Sequence, residues 1–319
     1  MNRGGALTVP SLSATVAHSR LRYRIEYVLV WVMGKFIGLL PRPLARTTGI
    51  AIGFLVYLFH PRLRRVGQRN LAMAMPEKTS AQRRLILRGV YKSLGRQLAE
   101  FCLFPRYTRE NVPSVVIYDG FENFERAYAR GRGVLFLTAH LGGWELSAFA
   151  HSLYGHPLRI VMRALDNPRL DALIQRYRTM HGNSTVDKDD FVRGLLSAMK
   201  NGETVGILMD TNMTPPQGAF VDYFGIPACT ATGMARVALH TGAAVLPSFS
   251  IWDRELGKYK IHFDPALQLV STGDDEADAI ANTALFTRVI ENYARQYPEQ
   301  WLWVHRRWKT RPPGEPQIY

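Results

Sequence analysis

Hydrophobic and polar positions sort into two regimes along this chain. In the first, residues 27–40 form a dense apolar run, interrupted only by Gly34, Lys35 and Gly38 and ended by Pro41. Residues 50–59 form a second run, closed by His60, Pro61, Arg62, Arg64 and Arg65. Arg20, Arg22 and Arg24 precede the first run, and the basic segment 42–46 precedes the second. The first run spans about 14 residues, short of the roughly 20 that cross a bilayer as a helix. Short apolar helices with arginines at both ends suit a segment lying in a membrane interface or dipping into one leaflet. A single tilted span and a pair of ordinary core helices are the competing arrangements. Residues 1–19 are small and polar and are expected to be disordered, and the apolar run lacks the cleavage site that a secretory signal requires.

The second regime is one of alternating elements. Helix formers dominate residues 80–104, with Pro76 as a break before them. A strand-like segment at 114–118 leads into a helix over 122–130. Gly131 and Gly133 then introduce residues 134–138, a continuous apolar run of the kind that forms a buried strand. Further strands are expected at 159–162, 204–209 and 244–249, separated by helices at 168–180, 191–201 and 232–241. This alternation predicts an α/β domain over residues 66–319, with a mixed, largely parallel sheet flanked by helices. An N-terminal apolar, membrane-associating helical segment, residues 20–65, precedes it.

Charge changes the picture for the N-terminal part. The formal net charge is +14. Residues 1–110 hold 19 lysines and arginines against 4 acidic residues, which leaves the rest of the chain close to neutral. A basic surface that also carries apolar runs points to anionic lipid headgroups or an acidic carrier, and no recognition-helix or base-stacking signature suggests nucleic acid. The two cysteines, Cys102 and Cys229, are far apart and have no metal-ligand spacing, so neither a disulfide framework nor a metal site is expected.

The chemistry concentrates directly after the apolar strand, in His140-Leu141-Gly142-Gly143-Trp144-Glu145. Loops at the carboxyl ends of parallel strands are where α/β proteins build their sites. The two glycines allow the backbone to fold so that the Glu145 carboxylate reaches the imidazole, fixing its tautomer and leaving the other nitrogen as a base. No G-x-S-x-G elbow and no nearby cysteine supplies a nucleophile. The nucleophile is then a substrate hydroxyl, and the reaction class is acyl transfer to an alcohol. Asp210 ends a strand on the same sheet edge, and the Asn-, Pro- and Gly-rich loop 211–218 is expected to border the site. Trp301, Trp303 and His305 alternate as on a strand, followed by Arg306, Arg307 and Lys309. Such an edge suits either lipid headgroups or a packed terminal strand.

The H-x-x-x-x-E core resembles the H-x4-D/E motif of the glycerolipid acyltransferases, in particular that of the bacterial lipid A lauroyl and myristoyl acyltransferases. The resemblance continues through Asn70-Leu71, Arg163-Ala164-Leu165-Asp166-Asn167-Pro168, Leu208-Met209-Asp210 and the block from Phe220 to Ala228. It ends in the block from Pro298 to Pro312, so it covers roughly residues 25–315. It implies His140 as general base, Glu145 as its orienting partner, and Asp210 binding substrate or holding an arginine. It also implies a site arginine, for which Arg163 and Arg178 compete. The implied donor is acyl carrier protein or acyl-CoA, and the implied acceptor is a lipid A precursor or a related lipid. No cofactor or metal is required. The place implied is the inner membrane, with the catalytic domain facing the cytoplasm. Enzymes acylating other glycolipids or lysophospholipids share the same blocks, and a non-catalytic basic membrane-binding protein is the alternative of a different class.

Overall fold

The computed structural model describes residues 12–187 and 191–319. Residues 1–11 of the expected disordered tract lie outside the described residues, and the chain is already helical from Leu12. Four helices open the fold: α1 (Leu12–Leu39), α2 (Arg42–Phe59), α3 (Pro61–Ala74) and α4 (Ser80–Leu103). The expected break at Pro76 falls between α3 and α4. There Thr79 caps α4 by accepting from the Gln82 N–H while the Gln82 side chain accepts from the Thr79 N–H, a reciprocal capping box.

Helices α2 and α4 pack backbone against backbone. A Cβ on Gly49 would lie 2.2 Å from the Gly95 carbonyl oxygen, and one on Gly53 would lie 2.2 Å from that of Tyr91. Only glycine permits this approach. The contact faces inward together with the arginines of α2. Arg42 pairs with the buried Glu100 at 2.9 Å, while Arg46 of α2 and Arg96 of α4 stack on the Trp252 ring at 4.2 and 4.8 Å. The apolar residues that this arrangement displaces point outward, with Leu29 65 %, Leu39 82 % and Phe59 78 % exposed. Among the described residues, no helix is long and apolar enough to cross a membrane.

The remainder is an α/β unit whose strands and helices follow in the order β1 (Val116–Asp119), α5 (Phe121–Tyr128), β2 (Val134–Thr138), α6 (Trp144–Leu153), β3 (Leu158–Met162), α7 (Pro168–Arg178), β4 (Ser184–Asp187), α8 (Phe191–Lys200), β5 (Thr204–Leu208), β6 (Gly218–Tyr223), β7 (Ile226–Ala231), α9 (Gly233–Thr241), β8 (Ala244–Asp253), β9 (Lys258–Phe263) and α10 (Asp275–Gln296). Seven strands form one sheet in the order β1-β9-β8-β2-β5-β3-β4. The five from β8 to β4 are parallel, and β9 joins β8 antiparallel with β1 parallel to β9. The expected mixed, largely parallel sheet is therefore present.

Strand β2 is continuously apolar because it lies at the centre of this sheet with both faces covered. Leu135 and Leu137 face the core built by α8, α9 and α10. Val134 and Phe136 face the core built by α4, α5 and α6.

The C-terminal block corrects one expectation. Residues 301–308 form turns rather than a strand, and Trp301, Trp303 and Trp308 are at most 1 % exposed. Arg307 is fully buried and donates to the carbonyls of Thr211 and Cys229 and to the Thr230 hydroxyl. This segment belongs to the core, not to an edge available to headgroups: the Trp301 and Trp303 indoles and the two terminal nitrogens of Arg307 find acceptors inside.

Candidate active site

The register of the two central parallel strands builds the site. Thr138 of β2 stands opposite Leu208 of β5, so the residues two positions beyond each strand, His140 and Asp210, emerge side by side. The Asp210 carboxylate makes three hydrogen bonds. Its Oδ1 lies 2.9 Å from His140 Nδ1, and its Oδ2 accepts from the His140 backbone N–H at 2.9 Å and from the Trp301 indole N–H at 2.8 Å.

The backbone of the His140 loop is equally held. Leu302 N–H donates to the His140 carbonyl, Gly142 N–H to the Gln300 carbonyl and Gly143 N–H to that of Ser250, at 2.8 to 3.0 Å. Gly142 adopts φ +59°, and a Cβ there would lie 1.9 Å from the Ser250 oxygen. Any side chain at this position would push the loop off its support.

Asp210 thus occupies the position expected of Glu145. Glu145 lies in the first turn of α6 and instead receives Arg178, whose Nε donates to Oε2 at 2.8 Å and whose Nη2 donates to Oε1. A planar guanidinium satisfies both oxygens of one carboxylate at once, and that geometry ties Glu145 to α7. Arg163, the other candidate arginine, is paired with Asp166 on the surface with 70 % of its side chain exposed.

His140, Glu145, Arg163 and Arg178 all line one cavity of about 1270 Å³ at the carboxyl end of the sheet, as do Thr211, Met213, Thr214, Pro216 and Gln217 of the loop expected to border it. Asp210 lies behind the wall, with 2 % of its side chain exposed against 22 % for His140. Cys102 and Cys229 are buried away from the cavity.

Burial alone would disfavour the charged imidazole of His140. The Asp210 carboxylate, helped by Glu145 and opposed by Arg178, overrides it and holds the ring above the ordinary histidine range. Burial likewise works to raise the Asp210 carboxyl, but the His140 charge and hydrogen bonds, with the Trp301 N–H, bring it down to about 2. His305, whose Nε2 accepts the Asn212 N–H, is kept neutral by burial and falls to about 4. Nδ1 of His140 is occupied by Asp210, so Nε2 is the ring nitrogen left for a substrate. Trp301, the indole donor to Asp210, had no signal as a site residue in the sequence beyond its place in a matching block.

The same segment is tied to the N-terminal helices. The buried Asn70 side chain of α3 donates to the carbonyls of Trp303 and His305, both at 2.7 Å. On the opposite side, Asn167 at the N-terminus of α7 donates to the Tyr23 carbonyl and to Glu26 of α1, both at 3.0 Å.

The chain is similar to the lipid A biosynthesis lauroyltransferase of Escherichia coli (strain K12), with 29 % identity over 312 residues covering 98 % of this chain and 99 % of that protein. It is also similar to the lipid A biosynthesis palmitoleoyltransferase of the same organism, at 26 % over 299 residues, 93 % of this chain and 95 % of that one. A third relative there, the lipid A biosynthesis myristoyltransferase, is 24 % identical over 252 residues, 78 % and 76 % of the two chains. The family model of the bacterial lipid A biosynthesis acyltransferases matches residues 15–310, and the chain belongs to that family of acyltransferases.

Proposed function

We propose that this acyltransferase moves a fatty acyl chain from a thioester, carried by acyl carrier protein or coenzyme A, to a hydroxyl of a lipid A precursor, with His140 as general base. The observation that carries this reading is the His140–Asp210 pair, one nitrogen bonded to a buried carboxylate and the other left on the cavity side. Nε2 takes the proton of the acceptor hydroxyl as its oxygen attacks the thioester carbonyl. The C–O bond forms, the tetrahedral intermediate collapses with cleavage of the C–S bond, and the imidazolium returns the proton to the leaving sulfur. Asp210 fixes the ring and stabilises the imidazolium between these steps. Arg178, held by Glu145, supplies positive charge at the mouth, suited to the oxyanion or to a substrate phosphate.

The exposed apolar face of α1 and α2, together with the basic N-terminal third, supports attachment to anionic lipids at the cytoplasmic face of the inner membrane, where both thioester donors are available.

The test is transfer by membranes containing the full chain, offered both donor thioesters with a lipid A precursor or a lysophospholipid. His140→Ala should lower the rate by on the order of 10²–10⁴. A neutral base is required and its pKa is raised, so the rate should climb with pH to a plateau reached above an ordinary histidine's. Asp210→Asn removes the charge that opposes burial and should move this limb to lower pH while depressing the plateau. Undiminished transfer by His140→Ala would sink the mechanism.

A further inference from the structure

The cavity continues past His140 along the face of the sheet covered by α6. There the small α6 residues Ser147 and Ala148 stand over β2, β5 and β3. Its inner lining is hydrocarbon, from Phe136, Leu158 and Ile160, and it reaches Gly206 in the middle of β5. Phe136 and Ile160 are the register partners of Gly206 on its two sides, so this glycine forms the floor between two large side chains.

The protein's own conformation does not call for glycine here. Gly206 has no left-handed φ, and a Cβ on it would meet only Leu158 Cδ1, at an ordinary 3.5 Å. This contrasts with Gly133, whose Cβ would lie 2.7 Å from Met199 Sδ, and with Gly142. A glycine inside a central strand forgoes packing and backbone order, and where neither φ nor crowding explains it, close approach of a ligand does. Phe136 precedes His140 by four residues, so at ~3.3 Å per residue the floor lies about 13 Å from the base. An unbranched alkyl chain fits such a slot because it has no polar atom that the lining would leave unpaired.

We infer that this slot receives the acyl chain of the donor, with its thioester at His140 and its methyl end over Gly206, and that the bare backbone at Gly206 sets the longest chain accepted. The inference rests on the acyl-transfer reading above.

Two series measured on the full-length protein test it. The first is calorimetric binding of unreactive S-alkyl coenzyme A thioethers of increasing length, and the second is competition between acyl thioesters of the same lengths in transfer. Gly206→Val should move both optima to shorter chains, reducing the long-to-short ratio on the order of tenfold. Gly206→Ala should do so to a smaller extent, and Leu158→Ala should shift the optimum to longer chains. Identical length profiles in wild type and all three variants would overturn the assignment. So would a shift in the preferred chain length of the acceptor instead of the donor, or failure of the wild type to bind any thioether. Thioether binding needs no turnover, so absence of transfer by the wild type would overturn the proposed function, while the binding optima would still decide the role of Gly206.

Discussion

On α1 and α2, Trp31, Phe36, Phe54 and Phe59 stand 42 % to 78 % exposed, while Arg42 and Arg46 fold inward onto Glu100 and Trp252. In the C-terminal segment the aromatic rings of Trp301, Trp303 and Trp308 are enclosed together with Arg307, and Arg306 and Lys309 lie nearer the surface. Both regions read in the sequence as aromatic residues mixed with positive charge. What separates Trp301 and Trp303 from the exposed rings is the supply of acceptors. The indole of Trp301 has the Asp210 carboxylate and that of Trp303 has the Pro298 carbonyl at 2.8 Å, so each can be buried without an unpaired N–H. The large side chains that α1 and α2 expose are mostly hydrocarbon, and an apolar surface of that kind is suited to apolar surroundings.

The largest effect that would test this contrast is on stability. Trp303→Ala should cost about 3–5 kcal/mol in denaturant unfolding of the detergent-solubilised protein, as for other large core truncations. A loss below about 1 kcal/mol would show that the C-terminal segment is not part of the core. A smaller effect is expected on the opposite face. Leu29→Ser and Phe59→Ser should leave stability within about 0.5 kcal/mol yet reduce flotation with anionic vesicles on the order of tenfold each, since a buried side chain of this size contributes about 1.5–3 kcal/mol. Unchanged flotation would put the lipid contact elsewhere.

The smallest and most specific effect is that of Trp301→Phe, which keeps an aromatic ring and removes one N–H. Without that donor the Asp210 carboxylate is less stabilised and its charge falls more fully on His140. The acid limb of the pH–rate profile should therefore rise by a fraction of a unit, opposite in direction to Asp210→Asn. An unmoved limb with a lowered plateau would reduce Trp301 to packing.

The sequence carries much of the fold because its signals are local. The run 134–138 coincides with β2, and the capped stretch from Ser80 coincides with α4 to within a residue. The antiparallel strand β9 carries a local signal too, since its Lys-Tyr-Lys-Ile-His-Phe alternation matches its alternating burial. The long helix α10 likewise begins at a local signal, the Asp274 cap. Four of the candidate residues line one cavity, and the carboxylate at His140 Nδ1 is that of Asp210 rather than Glu145. Glu145, five residues on, looks close in sequence, whereas Asp210 lies 70 residues away and becomes adjacent only through the pairing of β2 with β5. Which strands lie side by side is decided by long-range packing, and local pattern does not encode it. The alternation of Trp301 and Trp303 misled for the same reason, since a period of two is compatible with turns when both rings have a core to enter.

The register that joins His140 to Asp210 has a consequence for how this scaffold can diversify. Strands β2 and β5 are neighbours in the sheet, yet α6, β3, α7, β4 and α8 all leave and return between them. That excursion carries Glu145, Arg178 and much of the cavity lining, while the His140–Asp210 pair is anchored outside it. The segment between the two strands is in effect an exchangeable cassette. A graft bounded at Gly143 and Glu203 would re-shape the cavity lining without moving the His140–Asp210 pair.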